Sequence, residues 1–171
     1  EKAYDHVNWN FLMYVLKRMG FGIRWRKSCI SSTTFIVRVN GSPIDFFSAS
    51  RGLRQGDPLS PLLFLLVMEV FSRMIEAASN AGLIFGFSLS RLGLDVAEMK
   101  ISHLLFADDT IVFCDNDCEQ IVNLRCILIW FQVVSGLRVN LTKSSILPVG
   151  QLDNVQILAG VLGCKIDSFP I

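Results

Sequence analysis

The stretch Leu104–Phe113, LLFADDTIVF, places two adjacent carboxylates, Asp108 and Asp109, between two apolar half-strands. Along the chain, the nearest cations are Lys100 before the pair and Arg125 after it. A buried, unpartnered carboxylate is costly, and each of two neighbouring carboxylates disfavours ionisation of the other. A divalent cation would remove this cost, because Mg²⁺ prefers carboxylate oxygens and completes its shell with water and substrate phosphates.

The chemistry that fits such a doublet is two-metal phosphoryl transfer, with the ions about 3.5–4 Å apart. A tight turn between buried strands would hold the carboxylates rigidly, with Leu105, Ile111 and Phe113 anchoring the strands in the core. The alternative is that Asp-Asp forms only a polar turn, since Asp is a common turn residue. Taken alone, the doublet favours this alternative.

Five helices are predicted to surround these strands. Apolar spacing and Gly20 indicate one helix over residues 8–19, and a shorter one follows. Ser60 as N-cap and Pro61 at the first position begin an apolar helix, and N-D-C-E from Asn116 forms a capping box for the next. The later helices are predicted over residues 23–31, 60–78, 116–134 and, more weakly, 151–161.

Strand patterns occur in hairpins between these helices. Asn40-Gly41 is a strong hairpin signal because both residues tolerate positive φ. Further strands are predicted over residues 83–90, 101–114, 137–140 and 144–149, with a loop over residues 51–58. This order predicts an α+β fold with a mainly antiparallel sheet packed against long helices.

Composition narrows the class of protein. The chain has 171 residues, 51% hydrophobic and 18% charged, which suits one ordered domain and argues against disorder. Its longest apolar run, residues 61–71, is interrupted by Glu69 and falls short of the ~20 residues of a membrane span. Residues 1–56 contain nine basic and three acidic side chains, whereas the remainder contains seven and twelve. The basic third suggests a nucleic-acid surface, or else a solvated helix face.

The five cysteines form no CxxC pair, which is typical of reduced thiols in an intracellular protein. Cys114 and Cys118 are four residues apart, but no second ligand pair follows at zinc spacing. His6 and His103 have no ligand-like residues at metal spacing in the sequence, and we interpret both as structural.

Four segments together carry a family resemblance. FADD resembles motif C of reverse transcriptases, and RGLRQGDPLSPLLF (residues 51–64) resembles motif B. GLRVNLTKSSI (residues 136–146) resembles motif D, and EKAYDHVNWNFL (residues 1–12) the tail of motif A. The four motifs occur in the order found in the family. Their sequences are most similar to those of non-LTR (LINE-class) retrotransposons, especially plant ones. The resemblance implies a polymerase palm that performs RNA-directed DNA synthesis with two Mg²⁺ ions.

The resemblance also implies roles for matching residues. Asp108 would ligate both metals, and Asp109 would contribute more peripherally. Tyr4 would be the steric gate, whose ring leaves no room for a ribose 2′-OH; the alternative is a hydrophobic staple for the following helix. Gln55 and Gly56 would approach the incoming nucleotide, the glycine by letting backbone come close.

Basic residues of the same motifs have implied roles as well. Arg54, with Arg51, would contact phosphate or template backbone. Lys143 would donate a proton to the leaving pyrophosphate; the alternative is a solvated lysine at a strand end. Asp57 is expected to order the motif B loop through local hydrogen bonds rather than to bind metal.

The family's third carboxylate is the first Asp of motif A, which by register precedes Glu1. Asp5 is out of register for that role and is expected to cap the helix beginning near Asn8. We therefore expect residues 1–171 to be an incomplete reverse transcriptase domain, reaching from the tail of motif A to just past motif D. The start of the fingers and the thumb are expected to be missing, and the segment to be inactive alone.

The expected partners are an RNA template, a DNA primer, deoxynucleoside triphosphates and the rest of a polyprotein, with no membrane. An attached endonuclease is left open, and the family suggests a nuclear location. One alternative is a decayed relic with at most weak nucleic-acid binding through residues 17–27 and 51–54. A maturase or viral RNA polymerase is another; FADD rather than GDD, and Tyr4, argue against the viral one.

Overall fold

A computed structural model of the chain describes residues 3–31, 34–89 and 99–168. Helices and short strands are interleaved along it, which confirms the α+β class predicted from the sequence. A short 3-10 helix (Ala3–His6) is followed by helices α1 (Trp9–Arg18), α2 (Ile23–Ser31), α3 (Ser60–Asn80), α4 (Cys118–Ser135) and α5 (Val155–Leu162). The strands are β1 (Thr34–Val39), β2 (Ser42–Ser48), β3 (Phe87–Leu89), β4 (Met99–Ile101), β5 (His103–Phe106), β6 (Asp109–Val112), β7 (Ser145–Ile146) and β8 (Lys165–Ile166).

Within the described ranges the strands pair as four two-stranded sheets. The pairs β1–β2, β3–β4 and β5–β6 are antiparallel, and β7–β8 is parallel. Antiparallel pairing therefore dominates, as predicted, but the described strands form four separate pairs and not the single sheet that was expected. No helix in this part of the chain combines the length and hydropathy needed to cross a bilayer.

The chain forms two compact units. Unit 1 comprises the described residues up to Glu69 together with Gln132–Arg138, and unit 2 those of Val70–Phe131 and Val139–Ile171. Helices α3 and α4 each contribute residues to both units.

In unit 1, α1 begins where its cap can satisfy the free backbone donors. The Asn8 side-chain Oδ1 accepts from the backbone N–H groups of Asn10 at 2.8 Å and Phe11 at 3.4 Å. The expectation that Asp5 caps this helix is therefore wrong, because Asn8 lies next to the helix and fills that role. The Asn8 backbone N–H donates to Ser135 O at 2.7 Å, which brings the second segment of unit 1 into contact with the first.

The predicted β1–β2 hairpin is confirmed, with Asn40 and Gly41 at φ of 51° and 85° as a type I′ turn requires.

The motif B loop is ordered as expected, because Asp57 Oδ1 accepts from the Leu59 backbone N–H at 2.8 Å. Helix α3 then begins at Ser60 itself rather than after it, and Ser60 is buried.

In unit 2, α4 begins two residues later than predicted. Asp117 Oδ1, not Asn116, accepts the Glu119 backbone N–H at 3.0 Å, because α4 starts at Cys118 and Asp117 directly precedes it. Residues 137–140 form no strand, which corrects that prediction, and the predicted strand 144–149 is reduced to β7. Helix α5 packs the buried Leu158 and Leu162 against Ile121 of α4.

Candidate active site

The acidic doublet lies at the tip of a hairpin, as predicted. Phe106 of β5 pairs with Asp109 of β6, so the turn consists of Ala107 and Asp108. Ala107 has φ of 53°, whereas Asp108 has no positive φ, which is the pattern of a type II′ turn. The two-residue turn fixes the backbone of both carboxylates.

The expectation that this hairpin is buried is wrong. Asp108 and Asp109 are exposed, Ile111 is exposed as well, and Leu105 and Phe113 are only half-buried. A two-stranded sheet has two faces, and this hairpin has apolar residues on both. The sequence therefore predicts that other segments pack on both faces. The cost of burying unpartnered charge therefore does not apply, and water solvates the doublet.

One face of the hairpin is apolar and open within the described residues. Paired residues share a face, which places Leu104, Phe106, Asp109 and Ile111 together. Phe106 is 82% exposed, and Leu104 is exposed too. The tip thus presents one carboxylate beside uncovered apolar side chains.

The opposite face of the hairpin contacts helix α3 of the same unit through His103. Its Nε2 shares a hydrogen bond of 2.7 Å with Ser72 Oγ of α3, and its Nδ1 one of 2.9 Å with Ser102 Oγ. Both ring nitrogens are thus engaged, which agrees with a structural role for this histidine. The contact fixes the start of β5 and so restrains the strand that leads to the turn.

The donor set at the tip fits Mg²⁺ but is incomplete. Carboxylate oxygens suit this hard ion, which keeps several waters and needs only one or two protein carboxylates beside substrate phosphates. Across residues 3–31, 34–89 and 99–168, no group of three or more His, Cys, Asp or Glu side chains could hold a metal ion. Burial raises the pKa of the Cys114 thiol, and the Asp115 carboxylate raises it further, which disfavours the thiolate that zinc requires.

Tyr4 lies in unit 1, where its ring stacks on Phe64 of α3 with 4.8 Å between centroids and an interplanar angle of 13°. This partner belongs to α3, not to the following helix α1 as the staple alternative required. The Tyr4 backbone O accepts from the Leu53 N–H at 2.7 Å. The backbone around Tyr4 is therefore joined directly to the motif B loop.

The loop residues contact the same segment. Gln55 Nε2 donates to Asp5 Oδ1 at 3.5 Å, and both side chains are exposed. At Gly52, with φ of 85°, a Cβ would lie 2.8 Å from Asp5 O, so only glycine permits this approach. Sequence reasoning treated Asp5 as a helix cap and missed this contact, for which the chain carries no local signal.

The remaining predicted residues are also accessible. Arg54 and Gly56 are exposed in the loop, and Gly56 has φ of 84°. Lys143 is exposed in a turn whose backbone is held by Asn140, since the Lys143 N–H donates to Asn140 O at 3.0 Å. Lys143 precedes β7 by two residues. It therefore lies close to a strand end, where the alternative of a solvated lysine would place it.

The predicted site residues divide between the units. Tyr4, Arg54, Gln55 and Gly56 belong to unit 1, and the contacts of Tyr4 and Asp5 with residues 53 and 55 bring the motif A tail and the motif B loop together there. Unit 2 contains Asp108, Asp109 and Lys143.

Comparisons with known proteins give a family match and several relatives. Residues 1–160 match the family described as "Reverse transcriptase (RNA-dependent DNA polymerase)". An uncharacterised mitochondrial protein of Arabidopsis thaliana is 44% identical over 92 residues, covering 54% of this chain and 66% of that protein. A Pol polyprotein of the type-1 retrotransposable element R2 of Popillia japonica is 29% identical over 147 residues, 84% of this chain and 19% of its own length.

A third relative is the 149 kDa protein of transposon TX1 from Xenopus laevis, 29% identical over 157 residues, which is 89% of this chain and 11% of that protein. The chain thus spans about a fifth or less of the length of the Popillia and Xenopus proteins.

Proposed function

Because the chain belongs to the reverse transcriptase (RNA-dependent DNA polymerase) family, we propose that it is the palm portion of a non-LTR retrotransposon polymerase. Its substrates are an RNA template, a DNA primer and deoxynucleoside triphosphates, and it works within a larger Pol polyprotein. The proposed domain is residues 1–171, from the tail of motif A to just past motif D. A nuclear location, where the primer would be chromosomal DNA, is part of the proposal.

The observation that carries this function is the β5–β6 hairpin, whose tip holds Asp108 and Asp109 exposed on a fixed backbone. In the reaction, the primer 3′-oxygen bonds to the α-phosphorus of the nucleotide while the bond to pyrophosphate breaks. Two bound Mg²⁺ ions would supply charge neutralisation and lower the pKa of the attacking hydroxyl. Asp108 would ligate both ions, and Asp109 would contribute from the first position of β6.

Two carboxylates on one turn do not enclose two ions. Since no third acidic, histidine or cysteine side chain joins them in the described residues, a further carboxylate is needed from outside this set. We expect the segment alone to extend primers poorly or not at all for this reason.

The unit 1 residues would select and position the nucleotide. The stack on Phe64 holds the Tyr4 ring in one orientation, as a steric gate requires. The Gln55 amide donates to Asp5, which would orient it for contact with the nucleotide. The positive φ of Gly56 would let the backbone approach the nascent base pair. Arg54 would contact phosphate, and Lys143 would protonate the leaving pyrophosphate. The alternative of a non-catalytic relic gains no support from the matched relatives.

The test is RNA-templated primer extension by an R2-type Pol polyprotein in which residues 1–171 replace the matched region. Asp108→Asn should lower the extension rate by about a hundredfold or more, because metal stabilisation of the transition state amounts to several kcal/mol. Asp115→Asn is the matched control, since it removes an exposed carboxylate shortly after the same hairpin. If the Asp108 variant extended primers as well as its parent, the metal assignment would be wrong.

A second readout uses the 171-residue chain itself, in case the chimera does not fold. Titration with Mn²⁺, followed by loss of its free-ion electron paramagnetic resonance signal, should show weak binding. Asp108→Asn with Asp109→Asn should abolish it, with an unchanged circular dichroism spectrum. Equal Mn²⁺ binding by parent and double variant would contradict the site.

A further inference from the structure

The helices α1 and α2 lie in a long segment without acidic residues. Between Asp5 and Asp45 the sequence has no Asp or Glu. The same segment contains six Lys and Arg side chains, Lys17, Arg18, Arg24, Arg26, Lys27 and Arg38. All but Arg38 belong to α1 and α2, which are both in unit 1. This segment therefore carries a strong positive net charge along the sequence.

Of the five cations in α1 and α2, one is structural and four are on the surface. Arg26 Nη1 donates to Met13 O at 3.2 Å, which ties α2 to α1. Lys17, Arg18, Arg24 and Lys27 are exposed. Arg24 and Lys27 are three positions apart on a helix and so lie on the same side of it. The Arg26 bond thus fixes the helix on which two of the exposed cations stand.

The same surface displays two stacked aromatic rings. Phe21, in the connection between the helices, and Trp25 of α2 lie 4.5 Å apart between centroids at 17°. Both remain exposed, at 38% and 40%. Trp25 follows Arg24 directly and lies about 100° around the helix from it, so the ring and the cation occupy neighbouring parts of the helix surface. Such a combination suits an unpaired base, which stacks on the ring while cations contact its phosphates.

We propose that the α1–α2 surface, defined as Lys17, Arg18, Phe21, Arg24 and Trp25, binds single-stranded nucleic acid. The three cations contact the backbone without sequence preference, and Trp25, supported by Phe21, stacks on a base. This binding requires neither Asp108 nor Asp109, so it is a second nucleic-acid site beyond the proposed polymerase function.

An anionic membrane is the competing partner for basic and aromatic side chains. A membrane-surface helix gathers its apolar side chains on one face. In α2, Ile23 and Trp25 are two residues apart, which places them on opposite sides of the helix. The stacked rings form a flat platform rather than an apolar stripe. The arrangement therefore favours nucleic acid.

The experiment measures anisotropy of a short labelled single-stranded RNA with the 171-residue chain in EDTA, over a range of salt concentrations. Each cation that contacts single-stranded phosphate contributes about 0.7 to the slope of log K against log salt. Arg18→Ala with Arg24→Ala should make the slope shallower by about 1.4. The matched control, Lys100→Ala with Lys165→Ala, removes the same charge from exposed positions of unit 2 and should leave the slope unchanged.

The stacking part of the proposal is tested separately. Trp25→Ala should weaken binding about tenfold with the salt slope unchanged, and Trp25→Phe, which keeps a ring and guards against misfolding, should retain most of the affinity. Duplex RNA of the same length should bind more weakly, because its bases cannot stack on Trp25.

Three results would overturn the proposal: an equal loss of slope in the Lys100 and Lys165 control, an unchanged affinity for Trp25→Ala, or binding to phosphatidylserine vesicles without binding to RNA. The Asp108→Asn variant should bind this RNA normally in EDTA. Failure of this surface and failure of the proposed polymerase are therefore distinguishable.

Discussion

Among single residues, Tyr4 packs on the core, and we propose that it also selects the substrate. Its ring stacks on the buried Phe64, and aromatic pairs contribute about 0.5–1.5 kcal/mol beyond the area they bury. We predict that Tyr4→Ala lowers the free energy of unfolding by about 2 kcal/mol. In the chimeric polymerase it should also raise incorporation of ribonucleotides relative to deoxynucleotides.

Tyr4→Phe is the control for both effects, because it keeps the ring and removes only the hydroxyl. Urea denaturation of the 171-residue chain and competition between ribo- and deoxynucleotides measure the two quantities. An Ala variant that is destabilised yet still rejects ribonucleotides would leave Tyr4 as a packing residue only.

The cysteines give a second prediction at this scale. All five thiols are free, and Cys118 and Cys126 are exposed. Burial holds the pKa of Cys114 above its ordinary value of 9.0, with Asp115 adding to the shift. Because only the thiolate reacts, iodoacetamide at pH 8 should label Cys118 and Cys126 first and Cys114 slowly. Labelling of Cys114 should keep rising above pH 9, and mass spectrometry of tryptic peptides will show the order.

Burial also raises the pKa of Cys164, which packs beside the α4–α5 cluster with Cys114. Labelling in urea, which exposes every thiol, should remove the differences. Rapid labelling of Cys114 in the folded chain at pH 8 would contradict the packing described for it.

The sequence predicts the role of a residue where a local rule decides that role. Asp108 and Asp109 are predicted to lie at a turn because two apolar runs flank them. Their exposure was not predictable, since whether Leu104 and Ile111 are covered depends on which segments pack on the hairpin. The Asp5–Gln55 contact was likewise invisible, because fifty residues separate its partners.

At the scale of elements, the β5–β6 turn contains a strained residue. Ala107 has φ of 53°, a region that costs a residue with a Cβ about 1–2 kcal/mol and glycine nothing. We predict that Ala107→Gly stabilises the chain by about 1 kcal/mol, measured by urea denaturation. Glycine is also the usual residue at this position of a type II′ turn.

The matched control is Ala77→Gly in α3, an exposed helix position, where the same substitution should destabilise by up to about 1 kcal/mol. Ala107→Val should destabilise as well, because a β-branched residue is least tolerated at positive φ. Equal signs for the two glycine substitutions would show that the turn is not strained.

Helices were predicted more accurately than strands because their periodicity is local. All five helices exist, and the errors concern caps: Asn8 rather than Asp5, and Asp117 rather than Asn116. Asn and Asp cap almost equally well, so sequence alone cannot choose between neighbours. Residues 137–140 form no strand in the described part of the chain, because an alternating pattern alone does not decide whether a segment joins a sheet.

At the scale of the whole molecule, α4 is apolar on more than one side. Ile129, Trp130 and Val133 are exposed, with Trp130 at 65%, and exposed apolar patches drive association. We predict concentration-dependent self-association of the 171-residue chain, measured by light scattering after size-exclusion chromatography. Trp130→Lys with Val133→Lys should shift it toward monomer without changing the circular dichroism spectrum.

The control is Lys165→Trp, which adds an aromatic side chain at an exposed position in β8 and should not reduce association. A monomeric parent chain at high concentration would contradict the prediction. The division into two units, by contrast, was not predictable, because it depends on contacts between distant segments.

One of those contacts has a consequence for synthesis. Unit 1 is closed by Gln132–Arg138, where Ser135 accepts from Asn8 and Leu137 is buried. The ribosome makes the polypeptide from its N-terminus, at about 5–20 residues per second. The stretch from residue 70 to residue 131 must therefore be translated first, which takes on the order of several seconds. During that interval the core of the nascent unit 1 lacks Leu137, so the apolar side chains that would contact it stay exposed. A chaperone would bind such a surface.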